Sequence, residues 1–149
     1  MFIAKLRINK GLPGSGKSTE TRKWVEEDPN NRLIVCRDDL RSMCGPYWIP
    51  AREKLITELE NMSVVSALKR GFDVTVDATN LRFNAEARWK QLLSENGMGE
   101  VNIEFIDFTH VSVETCIDRD LQRGITGGKS VGKDVILNMA KNHLGYGKN

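Results

Sequence analysis

The sequence predicts an α/β fold, a parallel sheet sandwiched between helices, and three observations lead there. Short apolar runs alternate with amphipathic stretches along the chain, the pattern of successive right-handed βαβ crossovers. A glycine-rich turn joins the first apolar run to the first amphipathic one. Acidic residues follow within two positions of three of the apolar runs.

Taken in order, Phe2 to Ile8 reads as the first strand, Gly11 to Gly16 as a loop, and the next stretch as a helix to about Glu27. Asp28-Pro29-Asn30-Asn31 ends that helix with turn residues. Leu33-Ile34-Val35-Cys36 is short and apolar, as in a buried strand. From Ala51 to Arg70 a helix is expected, with Leu55, Leu59, Met62, Val65 and Leu68 on its inner face and Gly71 beyond its end. Phe72 to Val76 is the next strand, Ala85 to Asn96 a helix closed by Gly97, and Val101 to Phe108 another strand. Helices over Val113 to Arg123 and Val131 to Leu144 complete the chain. No repeat or linker divides it, so residues 1–149 are expected to form a single domain large enough to bury a core.

Composition removes several classes. No stretch reaches the roughly 18 apolar residues of a membrane span, and the N-terminus lacks a signal peptide's apolar block. Cys36, Cys44 and Cys116 are odd in number, widely spaced and free of any CxxC pair, as in reduced thiols of a cytoplasmic protein. A net charge of +2 is too small for a protein that coats a long duplex, but leaves room for a few phosphate contacts.

The most informative segment is Gly11-Leu12-Pro13-Gly14-Ser15-Gly16-Lys17-Ser18, followed by Thr19, which fits GxxxxGK[ST] at every position. Glycines let consecutive N–H groups converge on phosphate oxygens, and the following helix points its positive end at the same anion. Lys17 suits the β- and γ-phosphates of ATP or another nucleoside triphosphate, and the Ser18 hydroxyl suits Mg²⁺. A strand before and a helix after give the motif its required context. Polar Asn9 and Lys10, just before the loop, have no place in a buried-strand reading.

Ligands of open parallel sheets bind beyond the carboxyl ends of the strands. There the sequence places Arg37-Asp38-Asp39-Leu40-Arg41, then Asp77-Ala78-Thr79-Asn80, then Asp107. Asp38, first after its strand, is the candidate base toward an acceptor hydroxyl, and Asp77 the candidate partner of metal water or acceptor. Asp39 fits a helix N-terminus as well as a site, and Asp107 fits a solvated strand end better. Arg119 and Arg123 lie one helical turn apart before Gly124-Ile125-Thr126-Gly127-Gly128. That is the make-up of a small helical lid bringing guanidinium to phosphate, although pairing with Asp118 and Asp120 explains the spacing equally well. Tyr47 and Trp48 suit a packed loop better than a stacking floor for a nucleobase, and His110 and His143 have no partner spacing.

Together these motifs resemble the kinase domain of the phage-type polynucleotide 5′-hydroxyl kinases, members of the P-loop kinase fold, over nearly the whole chain. The resemblance implies Asp38 as general base toward the 5′-hydroxyl end of DNA or RNA, and Arg41 as the contact to the phosphate on the 3′ side of the terminal nucleoside. It implies that Asp77 and Asn80 belong to the acceptor side, and that Arg119 and Arg123 serve the donor phosphates from the lid. The fused phosphatase domain of the family's best-known member has no counterpart here, so 3′-phosphate removal is not expected. Relatives commonly carry a proline where this chain reads Lys129-Ser130-Val131-Gly132-Lys133. The same motifs also fit a P-loop kinase of a small-molecule acceptor, in which Arg41 is dispensable, or a non-catalytic nucleotide-binding module, in which Asp38 is.

Overall fold

In the computed structural model, residues 4–46 and 48–147 are described. Strands β1 (Lys5–Lys10), β2 (Arg32–Cys36), β3 (Asp73–Asp77) and β4 (Asn102–Asp107) alternate with helices. These are α1 (Lys17–Glu27), α2 (Arg37–Met43), α3 (Glu53–Lys69), α4 (Ala85–Glu95), α5 (Val113–Ile125) and α6 (Lys133–His143), with a 3₁₀ turn at Pro50–Arg52. The sheet is parallel in the order β2-β3-β1-β4. From β1 the chain crosses to β2, returns by β3, and passes to β4 on the other flank. The loop after β1 therefore lies where the strand order reverses, the usual crevice for a ligand.

Period-two alternation gives the sheet two unlike faces. Leu6, Ile8, Val74 and Val76 pack with Val64, Ala67 and Leu68 of α3 and with Trp89 and Leu93 of α4 in the main core. Their neighbours Arg7, Asn9, Thr75 and Asp77 turn to the opposite face and are also buried. There Arg7 pairs with Glu20 at 2.9 Å and stacks 4.5 Å from the Trp24 ring, while the Asn9 amide donates to Thr21 at 2.7 Å. Asn9 is thus a strand residue whose amide N–H₂ is taken up by α1 and β3. The strand runs on through Asn9 and Lys10, two residues beyond its expected end, and Lys10 stands opposite Asp107. Phe2 and Ile3 of the expected strand lie outside the described residues.

Helix α3 is where the expected face differs from the observed one. Leu55 and Met62 are exposed, and the buried stripe is Ile56, Glu60, Val64, Ala67 and Leu68. A carboxylate occupies the middle of this stripe because Arg37 and Arg88 reach it at 3.1 and 2.7 Å. The helix ends as predicted: Gly71 has φ +87°, and the N–H groups of Gly71 and Phe72 bond Leu68 O and Ala67 O.

A second core joins Leu12 of the glycine loop and Leu81 to Val113 and Cys116 of α5 and Ile136 and Ala140 of α6. The loop is thereby fastened to α5, the helix expected to carry the lid arginines, and to α6. Among the described residues, no helix is long and apolar enough to cross a membrane.

Candidate active site

The loop from Gly11 to Gly16 closes tightly. Gly11 N–H donates to Thr79 O, and Ser15 N–H to Leu12 O. Gly14 and Gly16 have φ of +83° and +98°, and a Cβ on Gly14 would lie 2.3 Å from Cys116 O. Glycine is required there by backbone angle and by space alike. Gly16 then caps α1, whose first residue is Lys17.

Lys17 is only 8% exposed. Its ammonium donates to Gly11 O at 2.9 Å and Leu12 O at 2.7 Å, folded over its own loop. Burial pushes its pKa from 10.5 down to about 8, while Asp77 and Asp38 pull it back up and Arg123 opposes them. Those three predicted residues, from β3, α2 and α5, thus act electrostatically on one ammonium.

Asp77, 7% exposed at the end of β3, accepts from the Ser18 hydroxyl at 2.7 Å and from the Asn9 amide at 3.4 Å. No group of three or more His, Cys, Asp or Glu able to hold a metal occurs among the described residues. A hydroxyl and one carboxylate beside a phosphate loop nevertheless fit Mg²⁺, which keeps most of its waters and completes its shell with substrate oxygens.

Asp38 and Arg41 sit on α2, one turn apart, at the same edge. Arg41 Nη1 donates to Asp38 Oδ1 at 2.8 Å, while Nε and Nη2 donate to Glu53 Oε2 and Oε1 at 3.0 and 2.6 Å. The Arg41 side chain holds the Glu53 carboxyl below its usual range. Trp48, 58% exposed, lies 5.5 Å from the Arg41 guanidinium, so it belongs to the rim of the site and not to a packed loop. Tyr47 lies outside the described residues. Sequence reasoning passed over Glu53 and Glu60, because acids inside a helix read as solvated residues.

Asn80, expected on the acceptor side, is engaged by the protein itself. Its amide donates to Asn9 O at 2.8 Å and accepts from the Trp89 indole at 3.2 Å, at a left-handed φ of +47°. Both ends of the side chain brace the protein. Asp107 closes its own turn, accepting from Thr109 N and Oγ1, and these bonds hold it below the usual carboxylate range. Asp39 is exposed on the first turn of α2.

On the lid side, Arg119 lies 3.5 Å from Gly14 O, and Arg123 lies 3.4 Å from Asp120. Every residue from 121 to 130 is exposed. Lys129 crosses to hydrogen-bond Ser42 on α2. Asp120 is buried and accepts from Ser130 Oγ at 2.7 Å and from the N–H groups of Val131 and Gly132 at 3.0 Å. Burial pushes its carboxyl up, but these bonds outweigh that and hold it below the usual range. Burial also raises the thiols of Cys36, to about 11, and Cys116, which keeps both protonated and inert.

The family model of the AAA domain matches residues 6–144. The chain belongs to that family, and within it to the P-loop kinases. It is 31% identical to a chain of the Pnkp1/Rnl/Hen1 RNA repair complex, with a TM-score of 0.82 over 99% of this chain and 46% of that one. It thus spans less than half of the protein it matches there. UMP-CMP kinase of Rattus norvegicus is 29% identical over 133 residues, 80% of this chain and 67% of that protein. The APS kinase CysC of Mycobacterium tuberculosis, at 16% identity and a TM-score of 0.65, shares the fold over 86% of this chain and 75% of its own. These findings agree with the resemblance to polynucleotide kinase domains, and the family chemistry is phosphoryl transfer.

Proposed function

We propose that this P-loop kinase transfers the γ-phosphate of ATP to the 5′-hydroxyl end of DNA or RNA. The observation that carries this reading is the Asp38–Arg41 pair, set on one helical turn across from the phosphate loop. A carboxylate there suits a hydroxyl, and a guanidinium one turn away suits the phosphate that every polynucleotide end carries beside its terminal nucleoside. The likeness to a chain of an RNA repair complex supports the same acceptor.

In this mechanism Asp38 orients the acceptor hydroxyl and takes its proton. The oxygen bonds to the γ-phosphorus as the bond to the β,γ-bridging oxygen breaks, and ADP leaves. Lys17 releases its loop carbonyls for the donor phosphates, and Arg119 and Arg123 add charge from the lid as those phosphates fill the site. Ser18 and Asp77 would hold Mg²⁺, which supplies further neutralisation of the phosphate oxygens.

The test is Asp38→Asn. Transfer to a 5′-hydroxyl oligonucleotide should fall by about 10²–10⁴-fold while ATP still raises the melting temperature. Near-wild-type transfer would remove the base assignment.

A further inference from the structure

Arg41 serves more groups than a tie between two helices needs. Arg37 already ties α2 to α3: it donates to Glu60 Oε1, to Thr57 Oγ1 at 2.9 Å and to Glu53 O. Arg37 Nη2 also donates to Glu53 Oε1 at 3.4 Å, and the same carboxylate makes a second, different contact. Its two oxygens take the Nε–Nη2 edge of the Arg41 guanidinium in a fork, the geometry that fixes a guanidinium plane most firmly. Trp48 stands over the same group, whose side chain is 16% exposed. With that edge engaged, Nη1 points along α2 to Asp38, whose side chain is 52% exposed.

Asp38 is the more exposed of the partners named for Arg41, so it is the one an anion arriving from solvent would compete with for Nη1. Two anions competing for one guanidinium edge repel each other, and a phosphate oxygen there disfavours the Asp38 contact. We infer that Glu53 is a positioning residue for the acceptor. It holds Arg41 so that the acceptor's phosphate displaces Asp38 from Nη1 and leaves that carboxylate to the hydroxyl. The inference rests on the acceptor reading above and adds order to it: the base turns to the hydroxyl once the phosphate is seated. A nucleoside without that phosphate leaves Asp38 engaged by Arg41, so discrimination appears in kcat and not only in KM.

The experiment compares two 5′-hydroxyl acceptors, a 3′-nucleoside monophosphate and the plain nucleoside, in wild type, Glu53→Ala and Glu53→Gln. Wild type should show a kcat at least tenfold higher on the phosphorylated acceptor. Inorganic phosphate added in trans should raise kcat on the plain nucleoside. Glu53→Ala should raise KM for the phosphorylated acceptor about tenfold and abolish the response to added phosphate, with the ATP-induced rise in melting temperature as in wild type. Glu53→Gln, which keeps one acceptor oxygen for Arg41, should recover part of the loss. Equal kcat on both acceptors in wild type, or a proportional loss on both in Glu53→Ala, would overturn the exchange while leaving the kinase reading intact. No transfer to either acceptor would overturn the acceptor reading and the exchange with it.

Discussion

At the scale of the residue, Lys17 shows what this site demands of a side chain. Its ammonium is buried and held by carbonyls of its own loop, and burial lowers its pKa to about 8 from 10.5. The folded-state value lies below the unfolded one, so the charged lysine opposes folding. The full cost applies below pH 8, where both states are protonated, and it is relieved as pH rises toward 10.5. Across that window wild type should gain about 3 kcal/mol of stability that Lys17→Met does not. Denaturant titrations of both proteins at pH 7 and pH 10 measure it, and parallel profiles would contradict it. Lys17→Met should also lose the stabilisation by ATP, since the charge meant for phosphate is gone. Lys17 and Ser18 were legible in the sequence because the motif fixes both residue type and position. Glu53 was not, because its role depends on α2 packing beside the start of α3. Asn80 was legible as a motif member, but its bonds to Asn9 and Trp89 appear only once those residues come together.

At the scale of the element, α3 and the lid carry the lesson. Counting apolar residues placed Leu55 and Leu59 on the inner face of α3, one position before the buried Ile56 and Glu60. A charged residue in the middle of a buried stripe defeats such counting, since the arginines that pair with it come from other elements. The short helix α2 was glimpsed only through Asp39 as a helix start and given no bounds, because seven polar-rich residues have no periodicity to read. The lid was foreseen from its arginines and glycines, but its anchor was not. Asp120 holds the α5–α6 connection through Ser130, Val131 and Gly132. Asp120→Ala should therefore loosen the lid, raising KM for ATP about tenfold and lowering apo stability by about 1–3 kcal/mol. Steady-state kinetics with thermal unfolding separates the two effects, and an unchanged KM would show that the anchor does not serve the donor site.

At the scale of the whole molecule, the sheet divides labour between its faces. The face toward α3 and α4 is apolar, whereas the one under α1 carries Arg7, Asn9, Thr75 and Asp77 in a buried polar layer. Three of the site's carboxylate and hydroxyl groups, on Asp77, Ser18 and Thr21, converge where that layer meets the phosphate loop. The α/β class and the parallel order followed from alternation alone, and the strand-end rule put Asp38 and Asp77 on the right edge. The two-faced character of the sheet was hinted at only by the polar Asn9. The acceptor is the sharpest question, because the chain is similar both to a chain of an RNA repair complex and to UMP-CMP kinase. One measurement tests it most directly: γ-labelled ATP with a 5′-hydroxyl oligonucleotide, UMP and CMP at equal concentration in one reaction. A polynucleotide 5′-hydroxyl acceptor predicts label on the 5′ end of the oligonucleotide. Label on UMP or CMP alone would contradict it.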